Sequence, residues 1–151
     1  RTPLSWAAEC GHLEVVKALL ATKKVDINTR DYDDQTPLLW AARNRHAKVV
    51  EMLLHIKEVD AAVSDKFGWT VLMWAAGNGH LYLVKMVLDT GELDVNAGDD
   101  EGRTPLSRAA ENGSAEVVKL LLNTKEVIID ARDCFGWVPL TWAAKRGHTK
   151  V

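Results

Sequence analysis

The strongest constraint on this chain is its self-similarity. The tripeptide Thr2-Pro3-Leu4 returns as Thr36-Pro37-Leu38, Thr70-Val71-Leu72, Thr104-Pro105-Leu106 and Val138-Pro139-Leu140, each step being 34 residues. Ala-Ala follows in phase at 7-8, 41-42, 75-76, 109-110 and 143-144. Gly-His comes next at 11-12, 79-80 and 147-148, with Arg45-His46 and Gly113-Ser114 as variants. A period of this length means one small unit stacked on copies of itself, because a unit so short cannot bury its apolar face alone.

Each period can be read physically. Thr2 suits a helix N-cap and Pro3 the first helical position. The spacing predicts a first helix over Leu4 to Cys10, stopped by Gly11, which takes left-handed backbone at little cost. A second helix is predicted from about Leu13 to Ala21, with Leu13, Val16, Leu19 and Leu20 at helical spacing and Val15 adding another strip. Both are too short to stand alone in water. The segment from Thr22 to Gln35 has no helical period. It ends in Asp31-Tyr32-Asp33-Asp34, and the matching stretch is Asp65-Lys66-Phe67-Gly68-Trp69. Asp and Gly at these offsets predict a projecting turn or hairpin between helix pairs.

The combined pattern, Asp-x-x-Gly-x-Thr-Pro-Leu-x-x-Ala-Ala-x-x-Gly-His followed by Val-Val-Lys-x-Leu-Leu and Val-Asp-Val-Asn, resembles the ankyrin repeat family over the whole chain. Tetratricopeptide repeats share the period, but their Trp-x-x-Leu-Gly-x-x-Tyr pattern is absent. The resemblance implies an all-α solenoid of about four and a half helix-turn-helix repeats with projecting turns. The expected repeats are 2–35, 36–69, 70–103, 104–137 and a truncated 138–151, forming a single array over 1–151. One residue beyond the family's usual period falls between Leu20 and Asp26. Trp-Ala-Ala in the first helix is similar to the long arrays of fungal multidomain proteins, and the chain reads as a piece of something longer.

Composition excludes several classes. With 47% apolar and 26% charged residues the chain is not disordered. A net charge of −2 without a basic run argues against nucleic acid as a partner. No apolar stretch is long enough to span a membrane, so no membrane role is expected. Cys10 and Cys134 are too few for a disulfide framework or a cysteine zinc site, and they lie too far apart in a solenoid to bridge. The expected compartment is the cell interior, cytoplasm ahead of nucleus.

No catalytic, metal or cofactor site is expected. His12, His46, His80 and His148 share one repeat position, about one helix spacing apart, whereas metal ligands must converge on one ion. They are expected to satisfy backbone groups near the inter-helix turn. His55 stands near a helix end, where it is favoured. Ser5, Ser107 and Thr141 recur likewise, while catalysis needs a single preorganised site. Asp31, Asp65, Asp99 and Asp133 are expected to bond local backbone in turns. Gly77-Asn78-Gly79 lacks the ending of a phosphate loop.

The aromatic residues say more. Trp6, Trp40, Trp74 and Trp142 share a first-helix position that Arg108 takes in the fourth repeat. A half-buried ladder is expected, with Arg108 against Trp74 or Trp142 and the exposed edges helping to line a concave groove. Trp69 and Trp137 fall in turn tips beside Phe67 and Phe135, either packing over adjacent tips or projecting to a partner. The other two tips are acidic. Aromatic anchors beside charge are typical of interface hot spots, and they call for a partner with apolar pockets and basic residues. Ankyrin proteins bind partners through turn tips and the concave first-helix surface. By that resemblance the contact candidates are Tyr32, Asp33, Gln35, Arg43, Asn44, Lys66, Phe67, Trp69, Asn78, Asp100, Glu101, Arg103, Arg108, Phe135 and Trp137. Other inter-helix positions that vary, such as Glu9, Arg45, Lys145 and Arg146, belong with them.

Asp34 stands where a tip glycine is usual, and repeat two should be the least regular, because Arg45 replaces the turn glycine there and Ala61-Ala62 replaces Val-Asn. Neither end carries an obvious polar cap, so Val117 and Leu121 are expected to be exposed and to promote end-to-end stacking. The function expected is non-catalytic protein–protein recognition by an interaction scaffold. The alternative is an intramolecular regulatory or sensor array on a signalling or NTPase domain of the same polypeptide.

Overall fold

A computed structural model of the chain describes residues 1–91 and 93–151. The described helices are α1 (Pro3–Glu9), α2 (Leu13–Ala21), α3 (Pro37–Arg43), α4 (Ala47–Leu54), α5 (Val71–Gly77), α6 (Leu81–Asp89), α7 (Pro105–Glu111), α8 (Ala115–Leu122) and α9 (Pro139–Arg146). The entries to the odd helices follow from the Thr-Pro-Leu motif. The hydroxyls of Thr2, Thr36, Thr70 and Thr104 accept the backbone N–H three residues on, at 3.2–3.3 Å. Val138 has no such oxygen, and α9 starts without a side-chain cap.

The helices form two layers. The odd helices touch in succession from α1 to α9, the even ones from α2 to α8, and α1, α3, α5 and α7 each lie on their own even partner. Leu4, Leu38, Leu72 and Leu106 are buried at one repeat position, and the Ala pairs beside them are buried too, letting helices approach closely. Leu140 at the same position is exposed.

The turn tips are built by their aspartates. Oδ1 of Asp31, Asp65, Asp99 and Asp133 accepts the N–H groups two and four residues on, at 2.9–3.0 Å. Successive tips are joined by backbone bonds, from Lys66 N–H to Asp33 O (2.9 Å), Asp100 N–H to Phe67 O (3.0 Å) and Cys134 N–H to Glu101 O (2.8 Å). This ladder is an addition to the sequence reading. Its regular pairing is slight: among the described residues there is one isolated antiparallel bridge, Ser64 with Thr70.

The histidines also act between repeats. His46 Nε2 lies 2.8 Å from Glu9 O, and His148 Nε2 lies 2.9 Å from Glu111 O, each reaching the C-terminal end of the preceding odd helix. Their rings sit against Gly11 and Gly113, where any Cβ would collide with them. His55 closes α4 with Nδ1 2.6 Å from Glu51 O.

Left-handed backbone at non-glycine residues falls in repeat one, at Lys23 (φ +54°) and Asp34, as well as in repeat two, at Arg45. Asp34 (φ +55°) and Arg45 (φ +66°) hold left-handed backbone where the other repeats place Gly68, Gly102 and Gly136, or Gly11, Gly79, Gly113 and Gly147. Repeat two also carries Ala62 where Asn28 and Asn96 clamp the following loop. Those asparagines donate to Glu58 O and Glu126 O at 2.7 Å, and accept from Asp60 N–H (3.0 Å) and Ile128 N–H (2.8 Å).

One expectation about the ends is corrected. Val117 and Leu121 are buried, because they share the face of α8 turned into the core. The next face, with Val118 and Leu122, lines an apolar groove with Ile129, Leu140 and Val151 instead. Cys10 and Cys134 are free and exposed. No described helix is long and apolar enough to cross a membrane.

Candidate partner-binding face

The odd helices and turn tips present one continuous face, paved by alternating cations and indoles. Arg1 lies 3.7 Å from the Trp6 ring centroid and 4.0 Å from that of Trp40. Arg43 stands between Trp40 (5.2 Å) and Trp74 (5.1 Å). Trp69 stacks on Trp74 at 4.2 Å between centroids, and Arg108 covers Trp69 at 4.2 Å. Arg103 lies over Trp142 (4.0 Å), and Lys145 over Trp137 (4.2 Å) and Trp142 (5.2 Å). The ladder expected from sequence is present, but Trp6 at its edge is 53% exposed. Arg108 meets Trp69 rather than the two indoles first considered.

Several contact candidates are engaged within the fold. Gln35 is fully buried, donating from Nε2 to Asp65 Oδ2 at 2.7 Å, so it offers no contact surface and leaves the set. Arg103 and Arg108 are buried in an ion network. Arg108 pairs with Asp99 and, at 3.2 Å, with Glu111; Arg103 pairs with Glu101 (3.0 Å) and Glu111 (3.3 Å). Trp69 and Trp137 are half-buried, folded back from the tips onto Trp74 and Trp142. Asn78 Nδ2 donates to Arg43 O at 3.1 Å, and Asn44 Nδ2 donates to Trp40 O at 3.0 Å.

What remains exposed is narrower. Tyr32, Phe67 and Phe135 are 100%, 51% and 59% exposed at the tips. Asp100 is exposed with them, while Arg43 and Asn44 are exposed at the end of α3. Arg45 and Lys145 are exposed as well. The tip acids are less available than their sequence suggests. Lys66 holds Asp33, and Glu101 touches both Arg103 and Arg108, the latter at 3.6 Å.

The electrostatics of the face are dominated by satisfied carboxylates. Burial pushes Glu111 up, but bonds and charge from Arg146, Arg103 and Arg108 outweigh it and hold the group below its ordinary range. Burial likewise raises Asp133, while the N–H groups of Trp137, Trp142 and Phe135, with Arg103 nearby, bring it below the usual carboxylate value. Asp31 behaves in the same way through Trp40, Asp33, Gln35 and Arg1. Among the described residues no group of three His, Cys, Asp or Glu could hold a metal ion.

Paired helices in two layers, joined by hydrogen-bonded turn tips and repeating every 34 residues, define a helical-repeat solenoid. The family model for ankyrin repeats (3 copies) matches residues 1–63 and 54–133. The chain belongs to the ankyrin repeat family. Ankyrin repeats are generally protein–protein interaction modules and typically non-catalytic. A search of curated proteins gives no match.

Proposed function

We propose that this array is a non-catalytic recognition scaffold, which binds a partner protein through its odd-helix face and turn tips. The observation that carries this reading is the presentation of Phe67 and Phe135. Both are more than half exposed, two repeats apart, on turns whose backbone is fixed by Asp65 and Asp133 and tied to the preceding tip. Apolar rings held on rigid backbone lose little entropy on binding, which makes them effective anchors. The expected setting is the cell interior. A domain of the same polypeptide would meet the same face by the same chemistry.

The test is quantitative capture from lysate of the source cells, comparing the wild-type chain with Phe67→Ser/Phe135→Ser at equal helicity by circular dichroism. Proteins retained by the first and lost by the second support the reading. Identical retention by both removes the tips from it.

A further inference from the structure

We propose that the odd-helix face takes an extended acidic segment of its partner, with one carboxylate on Arg43, another on Lys145 and an apolar side chain between them beside Gly77. This rests on the reading of that face as the recognition surface and names the chemistry it selects.

The charge pattern points to acid. Residues 9, 43, 77, 111 and 145 occupy one repeat position and read Glu, Arg, Gly, Glu, Lys, and Glu9 is already paired with Arg1. Glu111 is already met by three guanidinium groups, from Arg103, Arg108 and Arg146. Arg43 and Lys145 are exposed and form no ion pair among the described residues. From Glu9 onward the row therefore presents a neutralised acid, a cation, a glycine, a second neutralised acid and a cation. Each cation stands on a pair of indoles, Trp40 with Trp74 and Trp137 with Trp142. Such shelves restrict the rotamers of long side chains, so less freedom is lost when a carboxylate docks.

The glycine position has a chemistry of its own. A Cβ at Gly77 would lie 3.5 Å from Asn112 Nδ2 and 3.7 Å from both Arg108 Cβ and Trp69 Cζ3, so a ring edge and an aliphatic carbon adjoin the position beside one amide. An apolar side chain from a partner can occupy the space that every other repeat gives to Glu, Arg or Lys. The geometry also sets a length. Contacting helices are about 10 Å apart, so three repeat steps span about 30 Å. An extended chain rises about 3.3 Å per residue, which makes the two acids about nine residues apart. The apolar residue belongs roughly three residues from the acid on Arg43.

The test is selection of randomised dodecapeptides on the wild-type chain, followed by anisotropy titration of the selected peptides. Titrations use Arg43→Ser, Lys145→Ser, their double variant Arg43→Ser/Lys145→Ser and Phe67→Ser/Phe135→Ser, all at exposed positions, with folding checked by circular dichroism. The expected result is enrichment of two acids about nine residues apart, with roughly tenfold weaker binding for each cation variant. Peptides lacking the acidic pair, or binding that survives loss of both cations, overturn the proposal. If binding depends on the phenylalanines alone, the acidic segment is wrong and the recognition reading stands. If no peptide is selected, both fall.

Discussion

Trp142 Nε1 donates to Asp133 Oδ2 at 2.8 Å, while Oδ1 of the same carboxylate accepts the backbone N–H groups of Phe135 and Trp137 at 2.9 Å. One side chain thus fixes the turn and fastens it to the odd helix behind it. Trp40 and Asp31 repeat the arrangement at 2.9 Å, and Arg108 replaces the indole on Asp99. Repeat three differs: Gln35 takes Asp65 Oδ2, and the buried Trp74 Nε1 has no hydrogen-bond partner among the described residues.

Removing such a carboxylate should be expensive. Asp133→Ala strips the acceptor from three N–H donors and is expected to cost about 3 kcal/mol. Asp133→Asn keeps an oxygen for the turn and should cost less. Urea unfolding followed by tryptophan fluorescence measures both. An alanine cost under about 0.5 kcal/mol would show that water replaces the carboxylate freely.

The histidine seats give a paired comparison. Gly113 and Gly147 have nearly the same left-handed backbone (φ +69° and +74°), but only Gly113 faces a ring, that of His148. Gly147→Ala should cost about 1 kcal/mol from backbone alone. Gly113→Ala should cost at least about 1 kcal/mol more, since the added Cβ must displace the ring. His148→Ala made on top of Gly113→Ala should recover that excess in a double-mutant cycle.

The two non-glycine residues at these turns, Asp34 and Arg45, should respond in the opposite direction. Asp34→Gly and Arg45→Gly each remove left-handed strain at a non-glycine residue, and each should stabilise by about 1 kcal/mol. The side-chain losses are small: a 4.0 Å pair with Arg30 for Asp34 and a 3.4 Å bond to Asn78 for Arg45. Thermal unfolding should register an increase in Tm for both.

Acid stability follows from the lowered carboxylates. Asp31, Glu111 and Asp133 titrate lower in the fold than in an unfolded chain. Their contribution is complete above the unfolded values near 4, and is lost as pH falls through the folded ones. His80 is also lowered, by burial and then by Arg45, so its contribution is lost from about pH 6.5 downward. Tm should therefore drop slightly below about pH 6.5 and steeply below about pH 4. Glu111→Gln should flatten the steep limb and His80→Gln the shallow one.

The sequence was most informative where local pattern decides structure. Helix α2 runs from Leu13 to Ala21 as its apolar spacing predicts, and α1 is displaced by one residue because Thr2 caps Ser5 and brings Pro3 inside. The destinations of long side chains were less legible, since they depend on neighbours from other repeats. Gln35, Trp69, Arg103 and Trp137 occupy one repeat position at the end of a turn and suggested contact residues. Gln35 instead runs to Asp65, Arg103 into the Glu111 network, and both indoles back onto odd-helix tryptophans. The residue types carry a signal of this: all four are long enough to reach across the turn. That Arg43 and Lys145 form no ion pair among the described residues was equally hidden, because it emerges only once the partners of the other charged side chains are known.

The central claim is that recognition occurs on the odd-helix face and tips. Amide chemical-shift mapping of the isotope-labelled chain with a selected peptide tests it most directly. The account predicts that shifts concentrate in α3, α5 and α9 and in the turns 65–69 and 133–137. Shifts confined to the even helices α4, α6 and α8 would contradict it.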